Sequence, residues 1–361
     1  MRVGKNPFKG ASGEGMAYQG KPVLVAMLTF IPSFMGYYRE RFELMKLCLE
    51  SMIAHTPVSQ ADILIFDNGS CPEVTDYLKE LLAQKRITYL TLSQHNLGYN
   101  GALNWIYNSC QSPYLSYADD DVFFHPDWLV RALEVFEHFP SLGMVSCSPT
   151  KTKFEYHHTY ARNLAKLYPD QINILSREDS QWNEEWDELF FKSVGNLASP
   201  QETLKDTVIP VFESQGVKCY PVSNHFHYVL NREAIEVLYP YPVGDLMSSN
   251  YKNPAFNMSL LFDEKLEQHQ LAKVSTYGMY AEHLGNVWSE RADYLNKKYA
   301  IHLSSKATVH SKTLTVTWQK RILFKFMNLP FVSKLLYVLY EKLFDLINAK
   351  SLFDKQKSRK I

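Results

Sequence analysis

Three short, largely apolar runs, none broken by a charged residue, constrain the fold of this chain more than any other feature: Val23 to Ile31 (VLVAMLTFI), Ile63 to Phe66, and Tyr114 to Ala118. Runs of this length without polar alternation predict strands buried on both faces, as in parallel sheets covered by helices. Between them the spacing turns helical. Phe42, Met45, Leu49, Met52 and Ile53 fall on one face. Further helices are predicted from about Glu73 to Gln84 and from Gly101 to Ser109, with a short strand at Ile87 to Leu92 between them. This alternation predicts an α/β fold with a single doubly wound mixed sheet flanked by helices, in which ligands bind beyond the carboxyl ends of the strands. Asp67 and the triplet Asp119-Asp120-Asp121 stand at such ends.

With 361 residues, the chain has room for one large α/β domain and an appendage. The domain is expected over 21–300, after a leader of residues 1–20 that lacks the apolar core of a secretory signal. Within the domain, 151–215 loosens into polar sequence spotted with aromatics and reads as an insertion. The stretch 318–361 predicts an amphipathic helical extension, with Val332, Leu335, Leu336, Leu339, Leu343, Leu346 and Ile347 on one face. It carries ten basic residues against three acidic ones, although the whole chain has a formal net charge of zero.

That overall balance argues against a general nucleic-acid binder. A basic amphipathic helix can lie on an anionic membrane, pack on the domain, or pair with a second copy to form a homo-oligomer. The apolar face together with the KQKSRK end favours the membrane. Cys48, Cys71, Cys110, Cys147 and Cys219 include no CxxC pair, so neither a disulfide framework nor a zinc site is implied. Reduced thiols point to a cytoplasmic protein, and the basic helix to a peripheral place on the inner face of the membrane. No apolar stretch reaches the length of about 20 residues that a spanning helix needs.

The chemistry concentrates at the strand ends. Three adjacent carboxylates repel one another, and a divalent cation is the usual way to offset that repulsion. A cation there can also bind the phosphates of a nucleoside diphosphate and stabilise it as a leaving group. An acidic turn in solvent is the bland alternative, but the buried strand before the triplet and Val122-Phe123-Phe124 after it weigh against that. Asp67-Asn68-Gly69-Ser70 offers a carboxylate to a base or ribose beside a glycine that permits a tight turn. The loop Asn96 to Gly101, with Gly98 and Asn100, leads into a helix N-terminus whose N–H groups suit phosphate or ribose. Both segments are also ordinary turns.

In order and spacing, ILIFDNGS, HNLGYNGALN, YADDDVFFHPDWL, the FDE triplet at Phe262 to Glu264 and AEHLGN at Ala281 to Asn286 resemble the family 2 glycosyltransferases, which have the GT-A fold. The resemblance spans about residues 21–290. It implies an inverting transfer from a nucleoside diphosphate sugar, most commonly a uridine one, to a hydroxyl of a glycan or lipid-linked acceptor in surface or exopolysaccharide synthesis. It implies Mn²⁺ or Mg²⁺ held by Asp119 and Asp121 with His283 as a further contact, and a nucleotide bound by Thr29, Asp67, Gly98, Asn100, Asp119 and Asp120. His283 has the alternative of a histidine satisfied inside the fold. Arg39 and Arg41 are in reach of a phosphate or at a surface helix start. The family's Glu-Asp pair after FDE is missing here, where Gln270-Leu271-Ala272 stands. Asp263 and Glu264, with Glu267 behind them, are therefore the candidates for the catalytic base. The rival readings are a non-catalytic nucleotide-binding scaffold or partner subunit, and a sugar nucleotidyltransferase. The latter wants a glycine- and lysine-rich loop where Thr29-Phe30-Ile31-Pro32-Ser33 stands.

Overall fold

A computed structural model of the protein describes residues 20–151, 159–175, 182–194, 208–240 and 258–301. Residues 1–19 of the expected leader and the whole expected tail 318–361 lie outside the described residues.

The strands are β1 (Val23–Thr29), β2 (Ala61–Asp67), β3 (Tyr89–Leu92), β4 (Tyr114–Asp119), β5 (Val122–Phe124), β6 (Leu142–Ser146), β7 (Asn173–Leu175), β8 (Val211–Ser214), β9 (Val217–Tyr220), β10 (His227–Asn231), β11 (Ala272–Thr276) and β12 (Ala281–His283). The helices are α1 (Arg41–His55), α2 (Pro72–Ala83), α3 (Gly98–Ser109), α4 (Trp128–His138), α5 (Thr159–Leu167), α6 (Glu184–Ser193), α7 (Arg232–Leu238), α8 (Met258–Gln268) and α9 (Glu290–Lys298).

Among the described residues, ten strands form one sheet in the order β3-β2-β1-β4-β10-β6-β11-β9-β8-β7. The β3-β2-β1-β4 half is parallel. Strand β10 enters antiparallel between β4 and β6, β11 runs parallel to β6, and β9, β8 and β7 follow antiparallel. The expected mixed sheet flanked by helices is what forms. Its apolar runs are continuous because both faces are covered. Val23, Val25 and Met27 of β1 join Leu44, Met45 and Cys48 of α1 in one core, while Leu24 and Ala26 join Ala102, Leu103 and Ile106 of α3 in a second.

The 151–215 stretch is less separate than its composition suggests. Its described parts supply α5, α6 and two sheet strands, β7 and β8. The β8–β9 hairpin closes through Gln215 and Gly216, whose φ values of 52° and 86° match a two-residue turn of the type that fits strand twist. Trp182 and Trp186, 5.9 Å apart, pack there with Tyr220. Helix α3 begins at Gly98, earlier than the apolar spacing indicates, and β3 begins at Tyr89. All five cysteines are buried and free. Among the described residues no helix is long and apolar enough to cross a membrane.

Candidate active site at the ends of the parallel strands

Register alone brings the first site residues together. Thr29, the last residue of β1, is paired with Asp67, the last of β2, and on the other side of β1 Leu28 is paired with Asp119, the last of β4. The chain then turns through Asp120 and Asp121 into β5, which pairs with β12 so that Val122 faces His283. The Leu284 N–H donates to the Asp121 carbonyl at 2.9 Å. That small two-stranded ladder places His283 beside the triplet. Residues about 160 positions apart in sequence meet because β-pairing fixes them side by side.

Each aspartate has its own surroundings. Asp119 accepts a hydrogen bond from the Tyr117 hydroxyl at 2.7 Å. Desolvation and the charge of Asp121 push its carboxyl up to about 8, against the pull of Tyr117 and Arg41. Asp120 is buried, accepts from Thr29 Oγ1 at 2.6 Å and pairs with Arg41 Nη2. Burial raises its pKa, with Arg41 acting the other way. Asp121 is also buried. Its Oδ2 takes Arg41 Nη1 at 2.7 Å and stands 3.5 Å from His283 Nε2, while its Oδ1 is buried with no hydrogen-bond partner. The Ser193 hydroxyl and His283 Nδ1 lie 2.6 Å apart, which leaves Nε2 turned to Asp121. Burial lowers the His283 pKa, favouring the neutral ring.

Arg41 binds Asp120 and Asp121 at once from the first turn of α1, and the Tyr37 ring lies 5.8 Å from its guanidinium carbon. Burial would lower its pKa, but the two aspartates prevail and raise it. Thus Arg41, expected at a phosphate or on the surface, is the counter-ion of the triplet.

The nucleotide-side candidates also converge. Asp67 is fully buried and accepts from the Ser70 N–H at 3.2 Å; burial raises its pKa. Asn68 ties the loop after β2 to the loop before α3. Its amide donates to Asn96 Oδ1 at 2.9 Å and its oxygen accepts from the Leu97 N–H at 2.8 Å. Asn96 Oδ1 also accepts the Gly98 N–H at 2.8 Å. Gly69, at φ +97°, sits where a Cβ would stand 3.2 Å from the Asn96 nitrogen, so the two loops approach at backbone distance. Gly98 (φ +72°) and buried Asn100 lie in the first turn of α3. Neither Asn68 nor Asn96 stands out chemically in the sequence, although both lie in the Asn-Gly-rich motifs that mark these turns.

The base candidates diverge. Asp263, buried on α8, pairs with His225 Nε2 at 3.1 Å and with buried Lys273 of β11. Burial pushes its pKa up, but His225 and Lys273 hold it at about 2. At Lys273, burial outweighs the charges of Asp263 and Glu267 and the pKa is lowered. His225 adjoins Phe226, whose carbonyl accepts the Asp119 N–H at 3.0 Å, so this cluster borders the triplet. Glu264 is exposed, and Glu267 accepts the Tyr160 N–H at 2.7 Å. The partners His225 and Lys273 have no signature in the sequence.

Among the described residues no three His, Cys, Asp or Glu side chains already stand as a metal cage. Asp121 and His283 meet, but Arg41 occupies Asp121 Oδ2 and Tyr117 engages Asp119. The donor set nevertheless suits a hard divalent cation: carboxylate oxygens, one neutral imidazole, and the buried unpartnered Asp121 Oδ1.

Residues 34–197 match the model of Glycosyl transferase family 2. Over that segment the chain is similar to a family 2 glycosyltransferase domain. The match includes Arg41, Asp67, the Asn96–Gly101 loop and the triple aspartate; Thr29, Asp263 and His283 lie beyond it. A search of curated proteins finds no significant match. Among solved structures, the chain is similar to S. aureus TarS 1-349 in complex with UDP (TM-score 0.40, 10% identity, 72% of this chain and 59% of that one). It is also similar to the mannosyltransferase PcManGT from Pyrobaculum calidifontis in complex with GDP-Man and Mn²⁺ (TM-score 0.39, 12% identity, 71% and 56%). A further structure of S. aureus TarS 1-349 gives a TM-score of 0.29 at 14% identity over 36% and 35%. The chain thus spans between about a third and three fifths of the solved chains it matches.

Proposed function

We propose that this glycosyltransferase moves a sugar, with inversion, from a nucleoside diphosphate donor, a uridine one by first choice, to a hydroxyl of a glycan or lipid-linked acceptor in surface or exopolysaccharide synthesis. The observation that carries the reading is the convergence of Thr29, Asp67 and the triple aspartate at the ends of adjacent parallel strands, inside or bordering the family match. In this reading Asp67 and the first turn of α3, with Gly98 and Asn100, receive the nucleoside. Asp119, Asp121 and His283 would hold Mn²⁺ or Mg²⁺, which when bound supplies positive charge for the leaving diphosphate. Thr29 and Asp120 fix the turn that aims these groups. Cytoplasmic placement, and membrane contact through 318–361, belong to the same proposal.

An inverting transfer needs a proton acceptor for the attacking hydroxyl. Asp263 is ionised at any working pH, but its partners His225 and Lys273 reduce its basicity. Glu264, exposed, carries no such clamp. Replacing each in turn assigns the role: the base is the one whose amide variant loses transfer while retaining donor binding.

The test of the reading is sugar transfer or donor hydrolysis by the purified protein with UDP-sugars and GDP-sugars, with and without EDTA. Turnover that stops in chelator and in Asp121→Ala is expected. Unchanged turnover in either would remove the cation from the mechanism, and no turnover or binding with any sugar nucleotide would remove the function itself.

A further inference from the structure

Arg41 occupies the carboxylates that a cation would need. Its guanidinium bridges Asp120 and Asp121, with the side chain only 11% exposed. Yet the bridge is incomplete, because Asp121 Oδ1 remains buried without a partner, and a buried carboxylate oxygen in that condition is an open demand for a cation or a donor. Meanwhile His283 Nε2 approaches the same Asp121 from the opposite strand, its other nitrogen already engaged by Ser193. Arg41 is thus a single positive charge where three carboxylates and an imidazole leave room for two.

We infer that Arg41 is an exchangeable counter-ion: it holds Asp120 and Asp121 in the donor-free protein and transfers its guanidinium to the donor's diphosphate when a divalent cation takes Asp121. The charges support the exchange. The two carboxylates that Arg41 bridges, Asp120 and Asp121, outnumber its one guanidinium and keep a net negative site that attracts the cation. Once the cation sits there, a neighbouring guanidinium is repelled by it and drawn to an anionic diphosphate, for which its planar fork is well matched. Position supports it too. Arg41 is the first residue of α1, so its side chain can re-aim by rotation about its own bonds while the buried helix stays in place. The Tyr37 ring beside it, half exposed, gives the guanidinium a face to rest against in either position. Three adjacent aspartates therefore coexist without metal, and the cost of parting them from Arg41 makes cation and nucleotide bind together.

The inference takes its incoming ligand from the proposed function, so the experiment starts with the cation alone. Calorimetric titration of Mn²⁺ into nucleotide-free protein compares wild type, Arg41→Gln and Arg41→Lys. Arg41→Gln is expected to bind Mn²⁺ about tenfold more tightly or better, the gain when a competent state populated below about 10% becomes the dominant one. Arg41→Lys, which keeps the charge but loses the two-carboxylate fork, should fall between. With Mn²⁺ saturating, UDP should bind more weakly to Arg41→Gln than to wild type. A second measurement needs no variant. The Arg41 Nε–H resonance of ¹⁵N-labelled wild type should move on adding Mg²⁺ alone, and again on adding UDP. Equal Mn²⁺ affinity in wild type and Arg41→Gln overturns the inference, as does an Arg41 resonance that saturating Mg²⁺ leaves in place. Wild type that transfers sugar while Arg41→Gln shows no change in Mn²⁺ binding would sink the exchange and spare the enzyme. A tightened Mn²⁺ site that binds no nucleotide would do the reverse.

Discussion

Gly285 gives the sharpest test of how the His283 side of the candidate site is built. It follows His283 and Leu284, adopts φ +80°, and lies against the end of α6, so that an added Cβ would overlap the Ser193 carbonyl oxygen and stand 3.2 Å from its carbon. Gly285→Ala therefore carries two costs. A left-handed backbone costs an L-residue about 1–2 kcal/mol, and forcing a methyl into a packed contact costs about 1–3 kcal/mol more. The sum, about 2–5 kcal/mol, corresponds to a midpoint lower by roughly 3–8 °C for a domain of this size. Gly216 is the control: its φ is +86°, but nothing lies within 4 Å of its Cβ position, so Gly216→Ala should carry the backbone cost alone. Urea unfolding of both variants separates the steric part by difference. There is a second consequence, because Ser193 anchors His283 through the 2.6 Å contact with Nδ1. Displacing Ser193 should weaken cation binding in Gly285→Ala and leave it intact in Gly216→Ala. Equal losses of stability in the two variants would refute the steric argument. A full-strength cation response in Gly285→Ala would refute the link from Ser193 to the site.

Thr29→Val keeps shape but leaves a buried Asp120 oxygen without its donor; a loss of about 1.5–3 kcal/mol is expected in urea unfolding, and an unchanged midpoint would show that the 2.6 Å contact contributes nothing net. Fully buried His227 has its pKa lowered to about 3 by burial. It stays neutral in the fold, while the unfolded chain takes up a proton below about 6.5. Its contribution is therefore complete above pH 6.5 and is lost as pH falls towards 3, by about 1.4 kcal/mol per unit. Stability measured from pH 7 to 4 should show this slope, and His227→Asn should flatten it; the same slope in the variant would place the acid sensitivity elsewhere.

The parallel half of the sheet was legible because its signal is local. VLVAMLTFI and ILIFD can be buried on both faces only in one kind of sheet, and the last residues of the strands they form, Thr29 and Asp67, mark the edge of the candidate site by position alone. The triple aspartate was legible for the same reason. Strands β7 and β8 were hidden, being three and four residues long and held by a hairpin turn instead of an apolar run. Arg41 stood in view as a residue near a helix start, but nothing local says that it reaches two carboxylates about 80 positions onward. That depends on α1 packing under the β4–β5 turn. The Asp263 cluster was obscured similarly. FDE suggests an acidic site, whereas the partners that set its basicity, His225 and Lys273, come from two other strand ends and follow from tertiary packing.

The most direct test of the central claim, that the triple aspartate with Thr29 and Asp67 forms a cation-assisted nucleotide site, is the thermal midpoint with UDP or GDP, each with and without Mn²⁺. A ligand at about a hundred times its dissociation constant adds about 2.7 kcal/mol to the native state, a shift of several degrees. The expected result is a shift that needs nucleotide and Mn²⁺ together, and that disappears in Asp121→Asn and shrinks in Asp67→Asn. The same shift in Asp121→Asn, or no shift with any nucleoside diphosphate at millimolar concentration, would contradict it.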